Sequence, residues 1–298
     1  MYRATLRNIR PGEQETLLGI LQQASGVFHD APGAKAVLFS ERFDPAGCFV
    51  AVENGSAVGC VAVTKLHRER WFVIRYLALE RVAAGTGMAE QLLNMAVGYA
   101  DSKHAEYVRA TTPAIQPYVD IYKGRGFKPV RRDFRLSWDL TQQETRRGEL
   151  ETRELGDDMV ETAAASYVDA SRPYWNWRIE EQGGYEAAAR SFKEGVSRGE
   201  KWIIGWRNGR IVGLAGVLPD YYATEEARFR GVFVLPESRG RGIGSSLMSE
   251  AINFAKRLGQ RRMTVYTFSY LDCLAPGALL YLRSGGKIEA EHLQLQLT

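Results

Sequence analysis

The chain has 298 residues, 45% of them hydrophobic and 25% charged, the balance of a globular protein with material for two cores. No run approaches the roughly 20 apolar residues that cross a bilayer, and the N-terminus lacks a signal peptide's apolar stretch; a membrane partner is not expected, and the chain reads as cytoplasmic. A net charge of +4 without basic runs interleaved with aromatics argues against nucleic acid, and Cys48, Cys60 and Cys273 lack the spacing of a disulfide framework or a metal site.

From the N-terminus, the first clear element is a hairpin, CFVAVENGSAVGCVAV, in which Asn54-Gly55 supplies the positive φ angles of a two-residue turn. A strand, WFVIRYLAL, then leads through Gly85-Thr86-Gly87-Met88-Ala89 into the helix AEQLLNMAVGYADSKH, and Tyr122-Lys-Gly-Arg-Gly126-Phe127 closes the half. Lys123, Arg125, Lys128, Arg131, Arg132 and Arg135 crowd this end, as a solvated face or an anion-attracting surface. The polar stretch TQQETRRGELETREL has no apolar periodicity, which puts a domain boundary near residue 145, between domains 1–145 and 146–298.

The same order of elements then returns. WIIGWRNGRIVGLAGV is a second hairpin around Asn208-Gly209, and FRGVFVL leads into Gly240-Arg241-Gly242-Ile243-Gly244. The helix GSSLMSEAINFAKRLG follows, with Leu247, Met248, Ala251, Ile252, Ala255 and Leu258 on one face and a stop at Gly259. Tyr281-Leu-Arg-Ser-Gly285-Gly286 closes this half. The paired features lie 154, 155 and 159 residues apart, so three motifs in one order describe two copies of one α/β unit. Each copy reads as strand, helices, hairpin, strand, glycine loop, helix, strand, short helix and terminal strands.

The strongest chemical signal is the run from Val232 to Leu247, a strand passing through Pro236 into a glycine loop and a helix. Glycines at 240, 242 and 244 let backbone approach a ligand, and amides at a helix start face an anion with the macrodipole behind them. Arg239 and Arg241 add charge, so a pyrophosphate suits the place. A P-loop would need a Lys after the last glycine, and the dinucleotide fingerprint would need GxGxxG where Ser245 stands instead.

These residues resemble the GNAT family of N-acetyltransferases, whose mark is V-x-P followed by [QR]-x-x-G-x-[GA]; Val234, Pro236, Arg239, Gly242 and Gly244 fill it. The resemblance implies two tandem GNAT folds, α/β (α+β), each a mixed, mostly antiparallel twisted sheet flanked by helices. It implies acetyl-CoA as co-substrate, with no metal: its pyrophosphate on Arg239, Gly240, Arg241, Gly242, Ile243, Gly244 and Ser245, and its pantetheine arm along the backbone of Phe233 and Val234. It further implies that Tyr281, in a Leu280-Tyr281-Leu-Arg-Ser-Gly285 run, protonates the departing thiolate. Gly286 replaces that run's final aromatic, and LDCLAPGALL stands where the family has an Asn.

In the first copy Gly85, Gly87, Ala89 and Tyr122 are kept, but Ala84 replaces the pattern's Arg and Arg81 its Pro, so this copy reads as degenerate. Glu226 is the candidate general base, beside a water chain or an already neutral amine. Arg230 and Arg75 occupy matching positions, as an acidic-acceptor mark or a shared structural feature. Tyr174-Trp175-Asn176-Trp177 either lines the acceptor cleft or packs; His29, His67, His104 and His292 have no triad spacing. The expected reaction is direct attack of a small-molecule or peptide amine on acetyl-CoA in a ternary complex. The alternatives are an acyl-CoA sensor or scaffold and an enzyme resembling mycothiol synthase.

Overall fold

A computed structural model describes residues 4–24, 31–40, 43–66, 69–80, 87–144, 150–181 and 183–297. Two compact units emerge, one of Met1–Asp133 with Glu291–Thr298 and one of Phe134–Ala290.

In the first unit the strands run β1 (Thr5–Asn8), β2 (Phe43–Glu53), β3 (Ser56–Lys65), β4 (Trp71–Leu79) and β5 (Tyr107–Pro113) across the sheet. The far edge of β5 takes His292–Leu297 of the last strand, β12 (Lys287–Leu297), antiparallel. Alternation sends Val50, Cys60 and Ala62 to one face, under helices α1 (Gln14–Gln23) and α2 (Ala31–Leu38). Ala51, Val61 and Val63 face the other way, under α3 (Met88–Ser102), which buries Leu92, Leu93, Ala96 and Val97, and α4 (Gln116–Gly124) adds Tyr122 to the same core. The β2–β3 turn has Asn54 at φ 50° and Gly55 at φ 82°, as the Asn-Gly pair requires. Cys48 and Cys60 are buried core thiols, and burial pushes Cys48 up to about 12.

The second unit repeats this plan. Its sheet runs from the end of β6 (Phe127–Asp139) through β11 (Arg262–Ser269), β10 (Glu226–Val234), β9 (Arg210–Ala223) and β8 (Lys201–Arg207) to β7 (Glu151–Glu154). Helices α5 (Val160–Ala170) and α7 (Tyr185–Ser197) cover one face, where Ala163, Ala164 and Phe192 meet Trp202, Ile204 and Leu214, and the short α6 (Asn176–Glu181) packs Ile179 against Val168 and Ala188. α8 (Ile243–Arg257) covers the other, with Leu247, Met248, Ala251, Ile252 and Ala255 buried as the periodicity requires. Asn208 (φ 52°) and Gly209 (φ 71°) make the matching turn.

Both sheets are mixed and mostly antiparallel, in keeping with the expected fold class. The compact units divide elsewhere than the expected boundary near 145. Phe134, Leu136 and Trp138, alternating along β6, are buried in the core beneath α8, and Leu140 N–H bonds Arg261 O. Within the polar stretch Glu151–Glu154 form β7, and residues 134–140 ahead of it already belong to the second unit. Among the described residues, no helix is long and apolar enough to cross a membrane.

Candidate active site

β10 and β11 are parallel neighbours for only three residues, Glu226–Arg228 against Arg262–Thr264. A bulge follows at once, since Phe229 pairs with Val217 but Gly231 with Gly216, leaving Arg230 extra. Gly231 accepts the bulge's φ of 114°, and a Cβ there would lie 3.1 Å from the Tyr281 hydroxyl. Past the bulge the strands part around a cavity of about 360 Å³, walled by Arg230–Val234, Val265–Phe268 and α9 (Pro276–Arg283). In the first unit the β4–β5 ladder likewise ends at Ile74–Ala110, beside a bulge at Arg75.

The bulge decides which backbone groups face the opening. Phe233 pairs with Leu214 of β9, its carbonyl crowding Gly213, and Leu235 N–H bonds Val212 O. Val232 and Val234 alternate with these and turn their amide groups to the parted side. Val232 N–H donates to the Tyr281 hydroxyl at 3.1 Å. Tyr281 projects inward from α9 and is wedged edge-on between Trp138 (5.9 Å) and Phe229 (5.6 Å). Burial pushes the phenol up to about 12, opposed by the Val232 N–H, so it is protonated at neutral pH. The loop before α9 is tied by Ser269, whose hydroxyl donates to Cys273 O (2.7 Å) and accepts from Ala275 N–H (2.9 Å).

Beyond Val234, a short 3-10 turn at Pro236–Ser238 carries the chain to the glycine loop. Gly240 (φ 74°) and Gly242 (φ 77°) are left-handed, which an L side chain resists even though the space around them is open. The first helical bond of α8 runs from Ser246 N–H to Gly242 O, so the amides of Ile243, Gly244 and Ser245 open the helix without acceptors inside it. Arg241 and Ser245 are exposed; Ile243 is buried in the core and anchors the turn.

Arg239 is tied to the backbone of the second unit. Its Nε donates to Val234 O (3.0 Å) and its Nη2 to Ala170 O (2.8 Å) and Arg172 O, while the guanidinium lies 5.2 Å from the Tyr174 ring centroid. Burial pulls its pKa down, though guanidinium stays charged. The side chain fastens the end of β10 to the end of α5, with Nε and Nη2 given to carbonyls. Arg239→Ala should therefore destabilise the ligand-free protein by about 1.5–3 kcal/mol, read as a lowered Tm. Arg239→Lys should not restore it, because a point charge cannot span three carbonyls.

Sequence comparison bears on this geometry directly: the model of the Acetyltransferase (GNAT) family matches residues 16–127 and again 158–272. The chain belongs to the GNAT acetyltransferase family. It is a tandem GNAT protein, and the family's chemistry is acyl transfer from acyl-CoA to an amine. A GCN5-related N-acetyltransferase from Sphaerobacter thermophilus is similar at 18% identity and a TM-score of 0.72, over 98% of this chain and 95% of that one. A tandem GNAT protein from the clavulanic acid biosynthesis pathway is similar at 16% identity and a TM-score of 0.69, over 99% and 98%. A GNAT-family acetyltransferase from Colwellia psychrerythraea is similar at 14% identity and a TM-score of 0.65, over 99% and 100%. At these identities the likeness is one of fold. No curated protein matches by sequence.

In this tandem GNAT protein the cleft gathers Tyr281, Phe233, Val234, Arg239 and Gly240 at its wall, with the loop continuing into α8. Glu226 is not brought there. It sits on the closed stretch of β10, beside Arg135 (3.7 Å) and Arg262 (3.7 Å), and accepts from Thr264 Oγ1 at 3.3 Å. Tyr174 and Trp175 do line the cleft, Trp175 edge-on to Phe268 at 5.4 Å. Val232 escaped sequence reasoning because the bulge exchanges its facing with that of Phe233. Tyr122 is buried against Phe127 (5.5 Å), without the bond to the strand that Tyr281 makes. Arg81, Ala84 and Gly85, with His29 and His67, lie outside the described residues; His104 stands in a turn and His292 in β12.

Proposed function

We propose that the second unit transfers the acetyl group of acetyl-CoA to a primary amine by direct attack in a ternary complex, and that the first unit is a degenerate copy. The observation that carries this reading is the bond from Val232 N–H to the Tyr281 hydroxyl inside a strand gap that opens toward the α8 amides. Such a gap fits coenzyme A. The amides of Ile243, Gly244 and Ser245 would hold the pyrophosphate, with Arg241 nearby, and the Val232 carbonyl and Val234 N–H, the groups left over by Tyr281 and Arg239, would pair with the pantetheine arm as a strand does.

Acetyl-CoA supplies the activated acyl group. The chain's own residues place it, keep water out through Phe233 and Phe268, and hold a proton at Tyr281 Oη. Because Val232 N–H already occupies a lone pair of that oxygen, the hydroxyl proton is left to point toward a departing sulfur. Placement supplies much of the acceleration.

No carboxylate lines the cleft among the described residues, and Glu226 is engaged elsewhere, so the amine arrives neutral or loses its proton through water. The expected pH profile follows. kcat/KM should rise with pH up to the acceptor amine's own pKa. With Tyr281 at about 12, its acid form persists throughout, and no falling limb should appear below about pH 10. A descending limb near neutrality would remove Tyr281 from the acid role. The direct test is release of free CoA thiol across a panel of amines; acetyl-CoA binding without release for any amine would leave a sensor instead.

A further inference from the structure

We propose that Arg230 selects the acceptor, and that the acceptor carries a carboxylate close to its amine; the proposal rests on the acyl-transfer reading above. Along β10 the order is fixed: the glycine loop follows Val234, Tyr281 meets Val232, and Arg230 lies on the other side of Val232. Phosphates at the loop and an acyl group near Tyr281 leave the Arg230 end for the second substrate. Arg230 and Arg239 are the charged side chains of the cleft wall among the described residues, and Arg239 is committed to three backbone carbonyls. The acceptor end therefore offers a cation and no carboxylate.

Arg230 is held ready for such a ligand. Its Nε lies 2.9 Å from Glu200 Oε1, off the line of the N–H, so the contact is an ion pair on one edge of the guanidinium. Glu200 is buried and is held in turn by Trp202 Nε1 at 3.3 Å. Gly195 leaves room for it, since a Cβ there would come within 2.6 Å of the carboxylate. The paired edge leaves the two terminal NH₂ groups of a side chain that is 28% exposed at the cleft. That fork matches a carboxylate through two parallel bonds. The first unit's bulge arginine differs, as Arg75 Nε donates to Thr64 Oγ1 on the neighbouring strand at 2.9 Å.

Calorimetric titration tests the proposal with N-acetylphenylalanine, a product-like acid suited to the aromatic wall of Trp175 and Phe268, against its carboxamide. Titrations are run with and without CoA. The acid should bind about 10- to 100-fold more tightly than the amide, the ratio expected for a charge-assisted pair. Arg230→Gln should reduce the ratio to about one. Should that variant misfold by stranding Glu200, the double variant E200Q/R230Q removes both charges and should give the same loss. Equal binding of acid and amide by the wild type, or a preference that survives either folded variant, overturns the proposal. Failure of CoA itself to bind would overturn the acyl-transfer reading, while the acid-to-amide ratio still decides the role of Arg230.

Discussion

Tyr281→Phe should lower kcat by about 10²–10⁴-fold while leaving acetyl-CoA affinity within about a factor of two. The ring is set by Trp138 and Phe229, contacts that phenylalanine keeps, so the cleft wall retains its shape. What disappears is one oxygen, and with it the proton source beside the departing sulfur. The loss corresponds to about 3–5.5 kcal/mol of barrier. The variant also strands the Val232 N–H, at about 1–3 kcal/mol of stability, so unfolding should be followed in parallel. A purely structural tyrosine would show that stability loss with turnover unchanged. Single-turnover rates with a good amine, compared at several pH values, separate the two outcomes.

Gly244→Glu should abolish the thermal stabilisation that acetyl-CoA confers. At 100 times its Kd a ligand adds about 2.7 kcal/mol to the folded state, or roughly 5–10 °C in Tm for a unit of this size. A Cβ on Gly244 would lie 3.5 Å from Leu280 Cδ2 and 3.7 Å from Val234 Cγ2, on the wall where the cleft meets the helix start. These are ordinary contacts, so Gly244→Ala should fold and still bind. Glutamate goes further, because its carboxylate can occupy the α8 amides that an incoming phosphate needs. An acid in a first helical turn is itself favourable, so the variant should remain folded. A full ligand shift in folded Gly244→Glu would place the cofactor elsewhere.

Much of the architecture was legible because it rests on local chemistry. The two Asn-Gly turns, the 3.6-residue stripe of α8 and the paired glycine loops each announce themselves within a few residues, and their repetition declared two copies. Tyr281 was legible for the same reason. Glu226 was not, because its place depends on where β10 and β11 stop pairing, and that point is set by a one-residue bulge. The bulge also moved the cleft-facing amide from Phe233 to Val232. Arg239 fits the motif as a phosphate ligand, yet its donors go to Ala170 and Arg172, carbonyls 69 and 67 residues earlier in the chain. No local pattern reports such a partner. Glu200 and Arg230 likewise meet across 30 residues, through the crowding of Gly195.

The return of Glu291–Thr298 to the first unit governs how the protein can be made and cut. A ribosome releasing residues in order completes the first unit's helices early, yet β5 waits with an open edge until the other half has been synthesised. An open strand edge invites pairing with other chains, so a nascent or prematurely terminated polypeptide is most adhesive at β5. Severing the chain near 145 harms both pieces: the front piece keeps that edge, and the rear piece loses Phe134, Leu136 and Trp138 from beneath α8. A nonsense mutation just ahead of Glu291 would thus injure the half translated first.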